Sequence, residues 1–205
     1  MPNWSALCRM AAPQHGYFNR AQAHSAGYSR QLMKYYIERA LIERTDRDGV
    51  FHLTRFPRGE REELIGLWLT PDGRGVFSHE TALWLHGLLD KAPPLHTMTL
   101  PLEWRRRRRP DGVVCHLEQV PADCQETLGT LPLTSAVRSL TDCLLRATLN
   151  PGRESADIEP LLRKAISRAV QRGLCTRATL RRLVTERRQL LLSNPRSAAQ
   201  SARRL

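Results

Sequence analysis

The chain has 205 residues, and its hydrophobic fraction of 41% contains no apolar run near the length of a membrane span, so we expect a soluble protein. Lys and Arg number 32 against 20 Asp and Glu, and the resulting net charge of +12 favours a polyanionic partner, most often nucleic acid. The first residues show no secretion signal, and the five scattered cysteines contain no CxxC pair. We therefore expect a cytoplasmic protein with neither a disulfide framework nor a zinc site.

The basic surplus lies at the two ends of the chain. Residues 1–58 hold nine Lys and Arg against four acidic residues, and residues 151–205 hold thirteen against four. Residues 59–150 hold ten against twelve, although they include a run of five arginines. A near-neutral body therefore separates two segments that are suited to an anionic partner.

The N-terminal segment predicts three helices. Residues 4–15 supply the first, which Pro13 is expected to end. Asn19 and Gln22 have the spacing of a capping box and begin a short second helix, which Gly27 ends because glycine tolerates the left-handed conformation. Ser29 is the expected N-cap of a third helix.

The third helix has two different faces. Met33, Tyr36 and Ile37 form the i, i+3, i+4 stripe of a helix that packs on one side. The opposite face is polar and carries Arg30, Gln31, Lys34, Tyr35 and Glu38. Taken alone it fits a solvated face, but the short helix and the glycine turn before it are typical of a helix-turn-helix, so we interpret it as a recognition helix.

The segment "LIERTDRDGVFHL" after this helix predicts two short strands around a turn from Asp46 to Gly49. Three helices followed by a hairpin indicate a winged helix-turn-helix DNA-binding domain over residues 1–58. The expected DNA contacts come from the recognition helix and the hairpin: Ser29, Arg30, Gln31, Lys34, Tyr35, Arg44 and Arg47.

A polar segment over residues 55–62 predicts a linker, and residues 59–190 predict a second domain of mixed helices and strands. The fold class is therefore α+β. Residues 191–205 are expected to be a disordered basic tail.

Four segments in this order resemble the AbiEi antitoxins: "GYFNRAQAHSAGYSRQLMKYYIERALIERTDRDGVFHL", "FSHETALWLHGLLD", "HTMTLP" and "LPLTSAVRSLTDCL". The first resembles their N-terminal winged helix and the others their C-terminal domain, and the resemblance covers roughly residues 10–185. It implies a bacterial type IV toxin–antitoxin role with no cofactor. The antitoxin would repress its own operon by binding operator DNA, with several protomers acting cooperatively, and would counteract a nucleotidyltransferase-class toxin.

Residues 78–86, "SHETALWLH", raise the question of a metal site. His79 and His86 are seven positions apart, whereas a zincin helix places its histidines four apart, so we interpret this segment as an ordinary capped helix. Cys115 and His116 alternate on a predicted strand and should point to opposite faces. Ser135 before Arg138 and Asp142 indicates helix capping followed by surface charge.

The five-arginine run between two predicted strands comprises Arg105, Arg106, Arg107, Arg108 and Arg109. One interpretation is a solvated hairpin loop. The other is a grip on phosphates or on an acidic partner, because guanidinium groups pair bidentately with phosphate oxygens.

We expect a DNA-binding autorepressor and antitoxin that is not an enzyme. One alternative is a nuclease that docks through the winged helix, but the acidic residues of 59–150 are scattered rather than clustered for magnesium. Another is a regulator whose second domain senses a small molecule.

Overall fold

The structure is a computed structural model that describes residues 1–149 and 153–193. The chain divides into two compact units, residues 1–75 with 129–131 and residues 76–128 with 132–205. Helices and strands mix in both, so the α+β class is confirmed. Among the described helices, none combines the length and the apolar character needed to cross a membrane.

The first unit consists of four α-helices and three strands. Its elements are α1 (Trp4–Ala11), β1 (Tyr17–Asn19), α2 (Arg20–Ser25), α3 (Arg30–Glu38), β2 (Ile42–Arg44), β3 (Val50–Leu53) and α4 (Glu62–Leu69). The strands form an antiparallel sheet in the order β1-β3-β2, with Phe18 opposite Phe51 and Ile42 opposite Leu53. The three helices and the hairpin lie where the sequence predicts them, whereas the sequence gives no signal for β1 because that strand is only three residues long.

Aromatic and aliphatic side chains from α1, α2, α3 and the sheet form the core of this unit. Leu7, Phe18 and Leu53 have no exposed surface, and Met33 contributes the buried part of α3. The predicted stripe on α3 is confirmed, because Tyr36 and Ile37 pack against the same cluster.

Helix α4 belongs to the first unit because side chains of β1 hold both of its ends. The Tyr17 hydroxyl donates to Glu62 Oε2 at 2.6 Å, and Asn19 Nδ2 donates to the backbone oxygen of Leu69 at 3.1 Å. The compact unit therefore extends beyond residue 58, after which the sequence predicts the domain boundary.

Within the described residues, the second unit contains four α-helices and five strands. Its elements are β4 (Val76–Phe77), α5 (His79–Leu85), β5 (His96–Leu100), β6 (Val113–Leu117), β7 (Gln125–Leu128), β8 (Leu131–Thr134), α6 (Ala136–Leu149), α7 (Arg153–Gln171) and α8 (Arg177–Ser193). The strand order is β6-β5-β4-β8-β7, in which β5 pairs antiparallel with β4 and parallel with β6. Helices α5, α6, α7 and α8 share a core around Leu83, Leu140 and Ala165.

Two sequence-based interpretations need correction here. Because β5 and β6 run parallel, the arginine run between them is not a hairpin loop, and its first part is a 3-10 helix over Leu102–Arg106. Residues 191–193, assigned to a disordered tail, form the end of α8, and the remainder of that predicted tail, 194–205, lies outside the described residues.

Asn19 supports two elements at once, and its replacement should show this. Its side chain accepts from Gln22 N at 2.9 Å as the N-cap of α2 and also donates to Leu69 of α4. Asn19→Ala should lower the free energy of unfolding by about 2 kcal/mol, since the lost cap costs about 1 and the lost hydrogen bond to Leu69, whose oxygen still accepts from Asp72 N, about another 1. Urea unfolding followed by circular dichroism measures this change.

Ser29→Ala is the matched control, because the Ser29 side chain caps α3 from an exposed position through its bond to Leu32 N. It should cost about 1 kcal/mol. Equal losses for the two variants would contradict the role of Asn19 in holding α4.

Candidate nucleic-acid interface

A turn of four residues, Ala26–Ser29, sets the direction of α3 relative to α2. Asn19 and Gln22 form the predicted capping box at the start of α2, and Gly27 takes φ +85° after it. A Cβ at Gly27 would lie 2.7 Å from the backbone oxygen of Met1, so a side chain is excluded there on two grounds. Tyr28 is then buried, and Ser29 accepts from Leu32 N to begin α3.

The outer face of α3 carries the residues that the sequence assigns to base recognition. Arg30, Gln31, Lys34 and Tyr35 are all exposed. Lys34 lies 3.7 Å from Glu38 in a solvent-exposed pair, which is weak enough to release the lysine. Arginine can donate bidentately to guanine and glutamine can pair with adenine, so this face offers the groups that read a major groove.

Arg39 is a further cation of this face that the sequence analysis does not identify. It is the C-cap residue of α3, and its guanidinium carbon lies 4.1 Å above the ring of Tyr35. This cation–π contact holds the exposed Tyr35 ring and places another positive charge at the C-terminal end of α3. The i, i+4 spacing of Tyr35 and Arg39 could have indicated the contact.

The two hairpin arginines that are predicted to contact DNA differ in their exposure to solvent. Arg44 is exposed at the end of β2, with its guanidinium 5.9 Å from the Phe51 ring. Arg47 is half-buried and extends along α4, where a Cβ on Gly66 would lie 3.1 Å from its Cδ. A larger residue at position 66 would therefore displace Arg47.

The turn of the hairpin is tied to the start of α2 by an ion pair that the sequence does not predict. Arg20 Nη2 lies 2.6 Å from Asp48 Oδ1, and both side chains are largely exposed. The sequence contains no signal for this pair, because the two residues are far apart along the chain. Arg20 thereby adds an exposed cation beside the turn of the hairpin.

A buried histidine supports β2 from within the unit. His52 is 1% exposed and lies 2.8 Å from Glu43, which also pairs with Arg58 at 2.9 Å. Burial raises the pKa of Glu43, but the hydrogen bond with His52 and the charge of Arg58 outweigh it and the net pKa is lowered. The carboxylate therefore stays ionised and links β2 to β3 and to residue 58.

The side chains of the arginine run in the second unit differ in the contacts that they make. Arg107 lies 5.0 Å from the Trp104 ring, Arg108 pairs with Asp111 at 2.8 Å, and Arg109 donates to the backbone oxygen of Cys115 at 3.4 Å. Arg105, Arg106, Arg107 and Arg108 are exposed, and Arg109 is half-buried. Most of the run is thus accessible to solvent, and the contacts of Arg107 and Arg108 are surface contacts.

Arg138 and Asp142 are not surface charges, which corrects the sequence-based interpretation. They are 8% and 6% exposed, and Arg138 donates to Asp142 at 2.8 Å. Glu118 at the end of β6 lies 2.9 Å from Arg138 and 2.5 Å from Arg187. Arg187 Nε in turn lies 2.8 Å from Asp142 Oδ1 without hydrogen-bond alignment. The four charges form one cluster, which we call the buried ion cluster.

The ionisable residues of the "SHETALWLH" segment contact different partners and do not converge on one site. His79 stacks on His116 with ring centroids 4.0 Å apart, Glu80 pairs with Arg146, and His86 Nε2 lies 2.8 Å from the backbone oxygen of Thr134. Burial and the neighbouring cationic and histidine groups hold the pKa of His79 well below its usual range, and burial with Arg146 lowers the pKa of His116 to about 4. Both rings therefore stack as neutral groups near pH 7.

Within residues 1–149 and 153–193, no group of three or more His, Cys, Asp or Glu side chains is placed to hold a metal ion. Cys115 and His116, predicted on opposite faces of one strand, differ in their partners. His116 stacks on His79, whereas Cys115 makes a weak contact of its sulfur with the backbone oxygen of Val113. Burial raises the pKa of the Cys115 thiol to about 11, so it remains protonated.

No protein-family model matches the chain, and no curated protein matches it. Among solved structures, the crystal structure of RV2827C protein from Mycobacterium tuberculosis is similar, with a TM-score of 0.48 and 17% sequence identity. The match covers 90% of this chain and 72% of that chain.

The buried ion cluster generates a stability prediction. Asp142→Asn keeps the size of the side chain but leaves Arg138 and Arg187 with one carboxylate between them. Burial raises the pKa of Asp142 despite the two neighbouring guanidinium groups, so removing its charge costs less than breaking an ideal ion pair, and we expect the free energy of unfolding to fall by about 1–3 kcal/mol because Arg138 loses its charged acceptor. Urea unfolding measures the change.

Asp111→Asn is the control, because the Arg108–Asp111 pair is exposed on both sides and contributes little. It should unfold like the unmodified protein. If Asp142→Asn also leaves the free energy of unfolding unchanged, the four charges do not act as a cluster.

Proposed function

We propose that this protein binds double-stranded operator DNA through a winged helix-turn-helix in residues 1–58 and represses its own operon. We further propose that it counteracts a nucleotidyltransferase-class toxin, as the antitoxin of a type IV toxin–antitoxin system, and acts by binding rather than by catalysis. The DNA-binding part is supported by geometry. The antitoxin part rests on the sequence resemblance.

The observation that carries DNA binding is the outward polar face of α3. Its apolar residues pack in the core, so Arg30, Gln31 and Lys34 remain for an external partner. A helix-turn-helix inserts the N-terminal part of its second helix into the major groove, and these three residues lie in the first turns of α3.

Exposed cations at the hairpin and at the start of α2 can position the phosphate backbone. Arg44 at the hairpin and Arg20 at α2 are exposed, and Ser29 is exposed at the start of α3. Phosphate contacts hold the register of a DNA complex, while base contacts supply its specificity. A single recognition helix makes few contacts, so binding by several protomers should strengthen the complex.

The segments that resemble the antitoxin domain are neighbours in the second unit. "FSHETALWLHGLLD" contributes β4 and α5, "HTMTLP" contributes β5, and "LPLTSAVRSLTDCL" contributes β8 and α6. Strand β4 lies between β5 and β8 in the sheet. The similarity is therefore concentrated in one packed region, which supports a shared role for it.

Replacing Arg30 and Lys34 by Ala tests the recognition helix. Operator affinity should fall by about 1–3 kcal/mol for each base-reading side chain removed, and folding should be unchanged because both side chains are exposed. A gel-shift titration with DNA from the protein's own promoter measures affinity. The control R9A/R74A removes two exposed charges elsewhere in the unit and should bind like the unmodified protein. Equal weakening in both variants would mean that overall charge, and not α3, determines binding.

The same R30A/K34A variant tests whether the two proposed activities separate. It should still rescue the growth of cells that express the toxin, while a promoter reporter shows that repression is lost. A strain with the unmodified protein and a strain without it give the two reference levels. Loss of rescue together with repression would show that neutralisation works through DNA and would contradict our division of roles.

A further inference from the structure

The second unit contains an open groove between α6, α7 and α8 with a volume of about 700 Å³. Its floor is apolar and consists of Leu144, Ile166, Leu180 and Val184. Leu180 is 2% exposed and belongs to the core, and Leu144 and Ile166 pack against that core. The floor is thus a part of the hydrophobic core that the three helices do not fully cover.

The sequence of α8 explains why the groove has this composition. Arg177, Leu180, Arg181, Val184 and Thr185 follow one another at i, i+3, i+4, i+7 and i+8, so they lie along one stripe of the helix. Arg177, Leu180, Arg181 and Val184 alternate between cationic and apolar side chains, and Thr185 ends the stripe. The same face of α8 therefore contributes apolar side chains to the floor of the groove and arginines to its rim.

The arginines at the rim of the groove differ in whether they form an ion pair. Arg163 of α7 pairs with Glu159 at 2.6 Å. Arg177 and Arg181 are exposed, and no ion pair joins either guanidinium to a carboxylate in the part of the chain that the structure describes. Two cations beside uncovered apolar surface fit a ligand that supplies both negative charge and apolar groups.

We propose that this groove docks an amphipathic, acidic helix of a partner protein. Apolar residues at i, i+3, i+4 and i+7 of such a helix would cover the floor, and adjacent Asp or Glu residues would pair with Arg177 and Arg181. A helix that lies in a groove buries its apolar stripe and keeps its charges at the rim. This docking is independent of the proposed DNA binding by α3.

Charge and polarity favour an acidic helix over two other occupants of the groove, namely DNA and the chain's own residues 194–205. DNA phosphates would pair with the arginines but would leave the apolar floor uncovered, since nucleic-acid interfaces are polar. The chain's own residues 194–205 contain three arginines and no acidic side chain, so their side chains supply no negative charge for the arginines of the rim. An acidic amphipathic helix would cover the apolar floor and also pair with the arginines of the rim.

The test uses the full-length protein and a fluorescein-labelled synthetic helix with leucines at i, i+3, i+4 and i+7 and glutamates elsewhere. Fluorescence anisotropy should show saturable binding. Arg177→Gln with Arg181→Gln should weaken it by about tenfold or more, and so should Val184→Asp, which places a carboxylate on the floor. The arginine variant keeps the test valid if Val184→Asp does not fold.

The matched control is Arg182→Gln with Arg188→Gln, which removes the same charge from exposed positions of α8 outside the groove. It should bind the peptide like the unmodified protein. A second peptide with lysine in place of glutamate should not bind.

Several outcomes of the peptide-binding experiment would overturn the proposal. They are absence of binding, equal weakening by both arginine pairs, displacement of the peptide by duplex DNA, and tighter binding after removal of residues 194–205, which would identify that segment as the occupant. Competition between the peptide and self-association, measured by sedimentation, would likewise overturn it and assign the groove to a second copy of the chain.

Discussion

The packing of Tyr36 is the constraint on which the candidate DNA-binding surface depends. Its ring stacks on Trp4 of α1 at 5.1 Å and meets Tyr28 edge-on at 5.4 Å. Successive residues of a helix are about 100° apart, so a helix held by Tyr36 must turn Tyr35 and Lys34 toward solvent. The caps and the glycine turn determine where α3 begins, but Tyr36 decides which face is outside.

Polar anchors at buried positions complete the first unit around this aromatic contact. Asn19 joins α2 to α4, and His52 joins β3 to Glu43 of β2. The second anchor places the hairpin, and the position of α4 sets the surroundings of Arg47. The exposed Arg44 and the half-buried Arg47 therefore differ because of α4, although they are close in the sequence.

The second unit shows that the basic composition of this protein serves two purposes. Arg138 and Arg187 compensate the charges of Glu118 and Asp142 in the buried ion cluster, where an isolated carboxylate would be costly. Other arginines face solvent, namely Arg105, Arg106, Arg177 and Arg181. Net charge alone thus overstates the surface that is available to an anionic partner.

Local signals in the sequence determined much of the secondary structure, because caps, glycine turns and apolar periodicity act within a few residues. They were sufficient for the capping box at Asn19, the start of α3 at Ser29 and the two-faced character of α3. They could not show that β5 and β6 are parallel, or that Arg138 and Asp142 are buried. Strand pairing and burial depend on residues that are distant in the chain, such as Glu118 and Arg187, and only the tertiary structure brings those residues together.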